Sequence, residues 1–233
     1  MRVSDKKIVL GVVCALKLEA LSLISWFPEP EFVFDRGHRW IRWNRGDCQI
    51  IVVISRRPGK DAARKATRLL IETYHPGYIL NFGTAGAIAP HSAIGDMVLS
   101  YRTAAYCMPD DFGLLQSGTE FIAQSCCENF SIHSGIIVSS DQNIDNDLKK
   151  QILWETYGAW CGDWESAPVM AVCSQYGIPA HAFRVISDFG NAEFLADFFK
   201  NATQVLTQAA LVLKALLQSI EILPSTIPAN TEV

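Results

Sequence analysis

The stretch Tyr78-Ile-Leu-Asn-Phe-Gly-Thr-Ala-Gly-Ala-Ile-Ala-Pro90 is the most informative part of this sequence. Its apolar opening, residues 78–82, predicts a buried strand, and Gly83-Thr-Ala-Gly86 predicts a turn of small residues directly after it. Because glycine has no Cβ, such a turn lets a ligand approach the backbone, whose N–H groups can bind an anion or a hydroxyl-rich sugar. From these residues alone, a ligand cradle and a plain tight turn between core strands are equally good interpretations.

Strand-like and helix-like segments alternate on both sides of this stretch. The segments that predict strands are residues 7–15, 32–43, 48–55, 97–105, 131–139, 159–164 and 180–187, with 32–43 and 48–55 forming a hairpin. The segments that predict helices are residues 16–26, 61–74, 118–127, 148–157, 165–176 and 194–222, and residues 106–116 predict a loop. The alternation, with hairpin-like pieces between, predicts an α/β fold with a mixed sheet and helices on both faces. We expect a single domain, residues 1–223, followed by a C-terminal tail, residues 224–233.

The composition excludes several classes of protein. With 233 residues, of which 49% are hydrophobic and 19% charged, the chain has the composition of a soluble globular domain with one sizeable core. A net charge of −4 and the lack of a long Lys/Arg run argue against a nucleic-acid partner. No apolar run reaches the roughly 18 residues that a membrane helix needs, and no cleavage-site pattern follows the polar N-terminus. We therefore expect no membrane association and a cytoplasmic location.

The cysteines and histidines predict neither disulfides nor a metal centre. The seven cysteines include no C-x-x-C motif, and several lie in apolar runs, which fits a reducing cytoplasm. The five histidines lack the spacing of zinc ligands. We expect no metal and no cofactor.

Acidic and small residues follow the predicted strands at five places. These are Glu19, the turn at 83–86, residues 141–143, residues 163–165 and Ser187-Asp188. Ligands of open α/β sheets bind beyond the C-terminal ends of the strands, so these residues form a candidate site. Taken singly, each acid has an ordinary explanation: Glu19 as a solvated helix residue, Glu165 as a first-turn acid and Asp188 as a helix N-cap.

Five motifs combine these residues in a fixed order along the chain. They are Gly11-Val-Val-Cys-Ala-Leu-Lys-Leu-Glu19, Asn81-Phe-Gly-Thr-Ala-Gly86 with Gly95-Asp96 after it, Gly135-Ile-Ile-Val-Ser-Ser-Asp141, Asp163-Trp-Glu-Ser166 and Arg184-Val-Ile-Ser-Asp188. Together they resemble the nucleoside phosphorylase/nucleosidase family of the purine and uridine phosphorylase type, and most of all its branch containing 5′-methylthioadenosine/S-adenosylhomocysteine nucleosidase. The resemblance implies a central mixed, partly barrel-like sheet flanked by helices. It also implies an enzyme that cleaves the N-glycosidic bond of a purine nucleoside.

The resemblance assigns the chemistry to three carboxyl groups. Asp188 would be the general acid that shares a proton with purine N7, so that the base leaves as a neutral molecule. Glu19 would orient and deprotonate the attacking water, and Glu165 would accept hydrogen bonds from the ribose hydroxyls. Thr84 would hold that water or a ribose hydroxyl. The implied substrate-binding residues are Thr84, Ala85, Gly86, Phe112, Asn143, Ile144, Asp163, Trp164, Glu165 and Ser187.

Hydrolysis is favoured over phosphorolysis. Arg56 and Arg57 are available as phosphate ligands, but the chain lacks an early G-D-P-x-R motif. Glu19 occupies the water-activating position, where a carboxylate would repel phosphate. The favoured reaction is therefore hydrolysis of 5′-methylthioadenosine or S-adenosylhomocysteine with release of adenine.

Two departures from the family pattern leave the substrate open. Trp164 stands where a methionine usually packs on the ribose, and Asn143 stands where the nucleosidases place a phenylalanine that stacks on adenine. The alternatives are a futalosine hydrolase of the menaquinone pathway, a phosphate-dependent purine nucleoside phosphorylase, and a non-catalytic homologue that binds a nucleoside.

The resemblance also implies a homo-oligomer, with a dimer favoured. In the nucleosidases an aromatic side chain from the neighbouring subunit caps the 5′ end of the substrate, and Asp110-Asp-Phe-Gly113 resembles that segment. Phe112 is the candidate, and an ordinary exposed loop aromatic is an equally good interpretation.

Overall fold

The structure, a computed structural model, describes residues 8–106, 114–116 and 132–223. Its strands are β1 (Ile8–Cys14), β2 (Glu31–Asp35), β3 (His38–Arg45), β4 (Cys48–Ile54), β5 (Tyr78–Ala87), β6 (Met97–Ser100), β7 (Arg102–Tyr106), β8 (Leu114–Gln116), β9 (Ile132–Ser134), β10 (Ile136–Ser140), β11 (Ala159–Asp163) and β12 (Ala180–Asp188). Its helices are α1 (Lys17–Ser22), α2 (Lys60–Tyr74), α3 (Asp147–Tyr157), α4 (Ser166–Gln175) and α5 (Phe194–Ser219), with a 3-10 helix at Leu23–Trp26. The predicted α/β class, with a mixed sheet flanked by helices, is confirmed.

All these strands belong to one sheet, and β5 lies at its branch point. One edge of β5 pairs in parallel with β1 and then, at Gly86 and Ala87, antiparallel with β11. Its other edge pairs in parallel with β12 along most of its length. The sheet continues from β1 through β4, β3 and β2, and from β11 through β10, β7 and β8, while β6 and β9 extend it beyond β12. The C-terminal ends of β1, β5 and β12 therefore meet on one side of the sheet.

Helices cover both faces of the central strands. Alternate residues of a strand point to opposite faces, so that Val12 and Ile50 pack with α1 and α5, whereas Val13 and Ile51 pack with α2 and α4. Because both faces are buried, β1 and β4 read as continuous apolar runs. The helices thereby hold the strand ends, and the side chains that follow them, in fixed positions.

The predicted turn at residues 83–86 is wrong, because β5 continues through these residues to Ala87. They keep their pairing with β12, from Arg184 opposite Gly83 to Asp188 opposite Gly86. Crowding by side chains, rather than a turn, accounts for the glycines: a Cβ on Gly86 would lie 2.7 Å from Asp188 Oδ1. The stretch is a strand against which charged side chains lie closely.

Three predicted strands are each divided in two. Residues 32–43 form β2 and β3 around Arg36 and Gly37, whose φ angles of 49° and 75° suit a two-residue hairpin turn. Residues 97–105 divide into β6 and β7 at Tyr101, and the described part of the predicted strand 131–139 divides into β9 and β10 at Gly135, which packs against Trp160. The predicted hairpin between residues 32–43 and 48–55 is confirmed by the antiparallel pairing of β3 with β4.

The predicted helix at 16–26 forms α1 and then the 3-10 helix at Leu23–Trp26, and further differences lie towards the ends of segments. The last helix ends at Ser219 rather than at residue 222. Residues 114–116 of the predicted loop form β8, and the rest of that loop after Tyr106 lies outside the described residues. The predicted helix at 118–127 and the predicted tail at 224–233 also lie outside them.

Candidate active site

A cavity of about 260 Å³ opens at the C-terminal ends of β1, β5, β11 and β12. Eleven of the twelve predicted site residues line it: Glu19, Thr84, Ala85, Gly86, Asn143, Ile144, Asp163, Trp164, Glu165, Ser187 and Asp188. The twelfth, Phe112, lies outside the described residues. The fold thus brings together residues from five separate parts of the chain.

Glu19 lies in α1, directly after β1, with its carboxylate turned back to the strand ends. Its Oε2 accepts hydrogen bonds from the backbone N–H groups of Ala15 and Leu16, both at 2.9 Å. Its Oε1 accepts from the Thr84 backbone N–H at 3.0 Å and from the Thr84 hydroxyl at 3.3 Å. Burial raises the pKa of Glu19, and the positive charge of Arg184 and the backbone donors oppose that rise. The carboxylate is therefore rigidly held beside the Thr84 side chain in the cavity wall.

Gly83 provides the space that this carboxylate occupies. A Cβ at position 83 would lie 2.7 Å from Glu19 Cδ and would overlap the Arg184 guanidinium. Two charged side chains therefore cross β5 at a position that only glycine leaves open.

Arg184 is the one buried lysine or arginine in the part of the chain that the structure describes. Its Nε donates to Asp163 Oδ2 at 2.6 Å, Nη2 donates to Asn81 Oδ1 at 2.5 Å, and Nη2 lies 4.0 Å from Glu165 Oε2. Burial lowers the pKa of Arg184, but the negative charges of Asp163, Glu19 and Glu165 outweigh burial and raise it above its ordinary value. The guanidinium is therefore a fixed positive charge between three carboxyl groups.

Asp163 lines the cavity, but hydrogen bonds within the protein occupy its carboxylate. Oδ1 accepts from the Ser139 hydroxyl and from the backbone N–H groups of Glu165 and Ser166, at 3.2 and 3.1 Å. Oδ2 accepts from Arg184 and from the Ser166 hydroxyl. Five donors on two oxygens leave little capacity for a ligand. This geometry supports a role in holding Arg184 and the start of α4.

Glu165 directly precedes α4 and is 5% exposed. Its Oε1 accepts a hydrogen bond from the Gly59 backbone N–H at 2.7 Å. Burial and the negative charge of Asp163 raise the pKa of Glu165 to about 7, against the opposing charge of Arg184. Its protonation near neutral pH therefore depends on these neighbours.

Asp188 ends β12, which pairs with the opposite edge of β5 from β1, the strand that precedes Glu19. Its Oδ2 accepts from the Ser187 hydroxyl at 2.9 Å, and its Oδ1 accepts from the Gly190 backbone N–H at 3.0 Å. Burial raises the pKa of Asp188, while these hydrogen bonds and the positive charge of Lys150 lower it. A carboxyl group whose pKa is raised suits the holding and release of a proton.

The apolar part of the cavity wall was not predicted from the sequence. It comes mainly from the first two turns of α5, with Phe194, Leu195, Phe198 and Phe199. Phe199 is 79% exposed and Leu195 is 56% exposed, which is unusual for large apolar side chains beside a cavity. The sequence predicted only a helix over residues 194–222, and no sequence signal distinguished a core face from a cavity wall.

The polar residues behind the lining were also missed as site residues. Arg184 and Asn81 appeared only as letters of motifs, and no pattern in the sequence marked the Gly59 N–H. One signal was present: Arg184 is a charged residue inside the buried strand Ala-His-Ala-Phe-Arg-Val-Ile, where an unpaired charge would be costly. A buried carboxylate partner could therefore have been inferred.

The described residues form neither a cluster of metal-ligand type nor a helix suited to a membrane. Their His, Cys, Asp and Glu side chains include no group of three or more that could hold a metal ion. None of their helices is both long enough and apolar enough to cross a membrane.

Comparison with known proteins places this chain in a family. The family model described as the phosphorylase superfamily matches residues 9–218. The chain is 27% identical to the 5′-methylthioadenosine/S-adenosylhomocysteine nucleosidase of Shewanella halifaxensis over 229 residues, which cover 91% of this chain and 99% of that relative.

Two solved structures from Helicobacter pylori have a similar fold. The futalosine hydrolase of strain 26695 gives a TM-score of 0.84 at 21% identity, covering 93% of this chain and 100% of that one. The 5′-methylthioadenosine/S-adenosylhomocysteine nucleosidase, complexed with a pyrrolo[3,2-d]pyrimidine derivative, gives 0.83 at 20% identity, covering 91% and 99%. Since the family model spans most of its length, the chain belongs to the phosphorylase superfamily.

Proposed function

We propose that this protein is an N-glycosyl hydrolase that cleaves a purine nucleoside, with 5′-methylthioadenosine and S-adenosylhomocysteine as its substrates and adenine as the released base. One observation carries the proposal: the buried carboxyl groups of Glu19, Glu165 and Asp188 line a single cavity. The described lining includes no lysine or arginine side chain. The similarity to nucleosidases over nearly the whole chain supports the same reaction.

The proposed reaction divides two proton transfers between two carboxyl groups. Asp188, in its protonated form, donates to N7 of the purine while the bond between N9 and C1′ breaks, so that adenine leaves as a neutral molecule. The raised pKa of Asp188 supports this role. Glu19 accepts a proton from the water whose oxygen forms the new bond to C1′. The proton is taken up by the carboxylate that Ala15, Leu16 and Thr84 hold in place.

Glu165 has the role of a charge near the sugar. Its carboxylate accepts hydrogen bonds from the ribose hydroxyls and stabilises the positive charge that develops on the ring in the transition state. The Gly59 N–H and the Arg184 guanidinium favour its ionised form. The Thr84 hydroxyl already lies beside Glu19, the proposed base. It is therefore assigned to a hydrogen bond with the attacking water or with the sugar.

Water rather than phosphate is the proposed nucleophile. A phosphate dianion next to three carboxyl groups needs several positive groups in contact with it. Neither Arg56 nor Arg57 is in the described lining, and the Arg56 guanidinium lies beside Gly37 in the β2–β3 turn. Arg184 is occupied by Asp163 and Asn81.

The apolar wall from α5 is the proposed site of the 5′ substituent. Leu16, Pro58, Phe198 and Phe199 present hydrocarbon to the cavity, which suits a methylthio group. Asn143 and Ile144 lie in the part of the lining that we assign to the base. Trp164, 36% exposed at the same cavity, supplies a ring that can cover the sugar.

A panel of nucleosides tests the proposal. The protein is mixed with 5′-methylthioadenosine, S-adenosylhomocysteine, inosine and futalosine, each with and without phosphate, and base release is followed by chromatography. Adenine release from the first two without phosphate is the expected result. Release only from futalosine, or only with phosphate, would replace the proposal by one of its alternatives. Nucleoside binding by calorimetry without turnover would indicate a non-catalytic binding protein.

Asp188→Asn is the variant that connects turnover with the site. We expect it to abolish base release while leaving nucleoside affinity measurable, because asparagine keeps the shape and cannot donate an acidic proton. Unchanged turnover in Asp188→Asn would remove Asp188 from the proposed mechanism.

We also propose a cytoplasmic homodimer in which Phe112 of one subunit covers the 5′ end of the substrate bound to the other. The exposed apolar side chains beside the cavity, Leu195 and Phe199, support a covering partner. Sedimentation equilibrium would show a dimer, and Phe112→Ala would raise the KM for 5′-methylthioadenosine. A monomer with full activity would contradict this assignment.

A further inference from the structure

An ion pair joins two loops on either side of the cavity. Lys60 is the first residue of α2, and Asp141 directly follows β10. The Lys60 ammonium donates to Asp141 Oδ2, and the two side chains are 16% and 33% exposed. Neither residue lines the cavity itself.

On one side, the ion pair holds the loop that contacts Glu165. Gly59, next to Lys60, has φ 108° and ψ 163°, a backbone conformation that suits only glycine. In this conformation its N–H reaches Glu165 Oε1 at 2.7 Å, and Pro58 forms part of the cavity wall. The Pro58-Gly59-Lys60 loop is therefore attached at two points, one on Glu165 and one on Asp141.

On the other side, the ion pair holds the loop that carries Asn143 and Ile144 into the cavity. This loop has no regular secondary structure between Asp141 and α3. Its second attachment is Lys149, whose ammonium donates to the Asn143 carbonyl at 2.9 Å and to Asp145 Oδ1 at 3.0 Å. Asp141 fixes its beginning and Lys149 fixes its middle.

Helix stability does not account for a lysine at this place. The N-terminus of a helix carries a partial positive charge, so that a cation in the first turn is unfavourable. The partner lies 81 residues away in the sequence. Ion pairs near the surface contribute about 0–1 kcal/mol to stability, so the pair has little to add to folding. The ion pair can contribute more to ligand binding, because the two loops must keep one relative geometry to bind a ligand.

We propose that Lys60 and Asp141 are positioning residues whose ion pair fixes the distance between the loop that contacts Glu165 and the loop that carries Asn143 and Ile144. This inference rests on the proposed function, since it assigns the two loops to the sugar and the base of one nucleoside. The ion pair acts on binding, because it orders the walls before the ligand arrives. It leaves the chemical step to the carboxyl groups.

The test is a double-mutant cycle with Lys60→Met and Asp141→Asn, in which KM and kcat for 5′-methylthioadenosine are measured separately. Each single variant is expected to raise KM about tenfold, equivalent to about 1.4 kcal/mol, with kcat changed by less than about threefold. The double variant is expected to be no worse than either single one, because the interaction is lost only once. Lys60→Arg retains the charge and is expected to keep KM within about twofold of the wild type.

Matched controls lie on the same helix. Lys65→Met removes an exposed lysine of α2, and Asp61→Asn removes the exposed acid whose Oδ1 lies 4.0 Å from Arg64. Both are expected to leave KM and kcat unchanged. Thermal unfolding of every variant shows whether it is folded, and where Lys60→Met fails to fold, Asp141→Asn and Lys60→Arg carry the comparison.

Failure of this inference differs from failure of the proposed function. An active wild type whose single variants keep KM within about twofold overturns the positioning role and leaves the hydrolase intact. Where the wild type cleaves no nucleoside, the proposed function fails, and the ion pair is tested by nucleoside affinity in calorimetry. Equal affinities of wild type and variants, or no binding at all, then overturn the positioning role as well.

Discussion

Replacing Glu19 by glutamine removes the proposed general base with little change in shape. If the amide oxygen keeps the backbone donors of Ala15 and Leu16, the amide NH₂ faces the Thr84 N–H, which lies 3.0 Å from Oε1 in the wild type. Two donors then meet, since an amide nitrogen cannot accept a hydrogen bond. The variant therefore loses the charge and one hydrogen bond.

The expected loss is mainly catalytic. A general base contributes about 10²–10⁴-fold to the rate, equivalent to about 3–5 kcal/mol of activation free energy. An unpaired Thr84 N–H costs about 1–3 kcal/mol of stability, and removing a buried charge offsets part of that cost. We expect kcat to fall by about 10²–10⁴-fold and the free energy of unfolding to fall by about 2 kcal/mol or less.

The assay follows adenine release from 5′-methylthioadenosine, with nucleoside affinity measured separately by calorimetry. Glu155→Gln, which changes an exposed glutamate of α3, is the matched control and should behave like the wild type. A folded Glu19→Gln protein whose kcat stays within about tenfold of the wild type would refute the role of Glu19 as base.

Three further predictions follow from the packing and charges of the site. Gly83→Ala places a Cβ 2.7 Å from Glu19 Cδ, so urea unfolding should show a loss of about 1–3 kcal/mol together with reduced turnover. Burial raises the pKa of Glu165 from an ordinary 4.5 to about 7, so this group stabilises the fold below pH 4.5. That stabilisation, about 3 kcal/mol, is lost as the pH rises through 7. The free energy of unfolding, measured with urea, should therefore fall less steeply between pH 4.5 and 8 in Glu165→Gln than in the wild type. Lys150→Met removes a positive charge that lowers the pKa of Asp188, so the basic limb of the pH–rate profile should move to higher pH.

Each of these has a control and a contrary outcome. Gly77→Ala is the control for Gly83→Ala: it adds a Cβ with no atom within 4 Å and should not change stability. A Gly83→Ala protein as stable as the wild type would show that Glu19 can move freely. A Glu165→Gln protein with the pH dependence of the wild type would assign that dependence to other groups. Lys65→Met should leave the pH–rate profile in place, and an unmoved basic limb in Lys150→Met would exclude Asp188 as its source.

The strand ends were predictable because the pattern that marks them is local. The apolar run of β1 ends shortly before Glu19 and that of β12 ends at Ser187-Asp188, and a sheet buried on both faces produces such runs. The order of the five motifs along the chain indicated the family. Together they identified eleven residues that line one cavity.

Interactions across the sheet were not predictable in the same way. Gly83 and Gly86 indicated a turn, whereas their small size is required by Arg184 and Asp188 on the neighbouring strand. The Gly59 N–H reaches Glu165 across 106 residues of sequence, and no local pattern marks such a contact. The same holds for the apolar residues of α5, because a helix that packs on the core and one that lines a cavity have the same periodicity.

The identity of the sugar product tests the central claim most directly. The protein is incubated with 5′-methylthioadenosine and saturating phosphate, and the products are separated by mass spectrometry. We predict adenine and free methylthioribose, formed at the same rate when phosphate is left out. A methylthioribose 1-phosphate product, formed only when phosphate is present, would contradict the proposed hydrolysis.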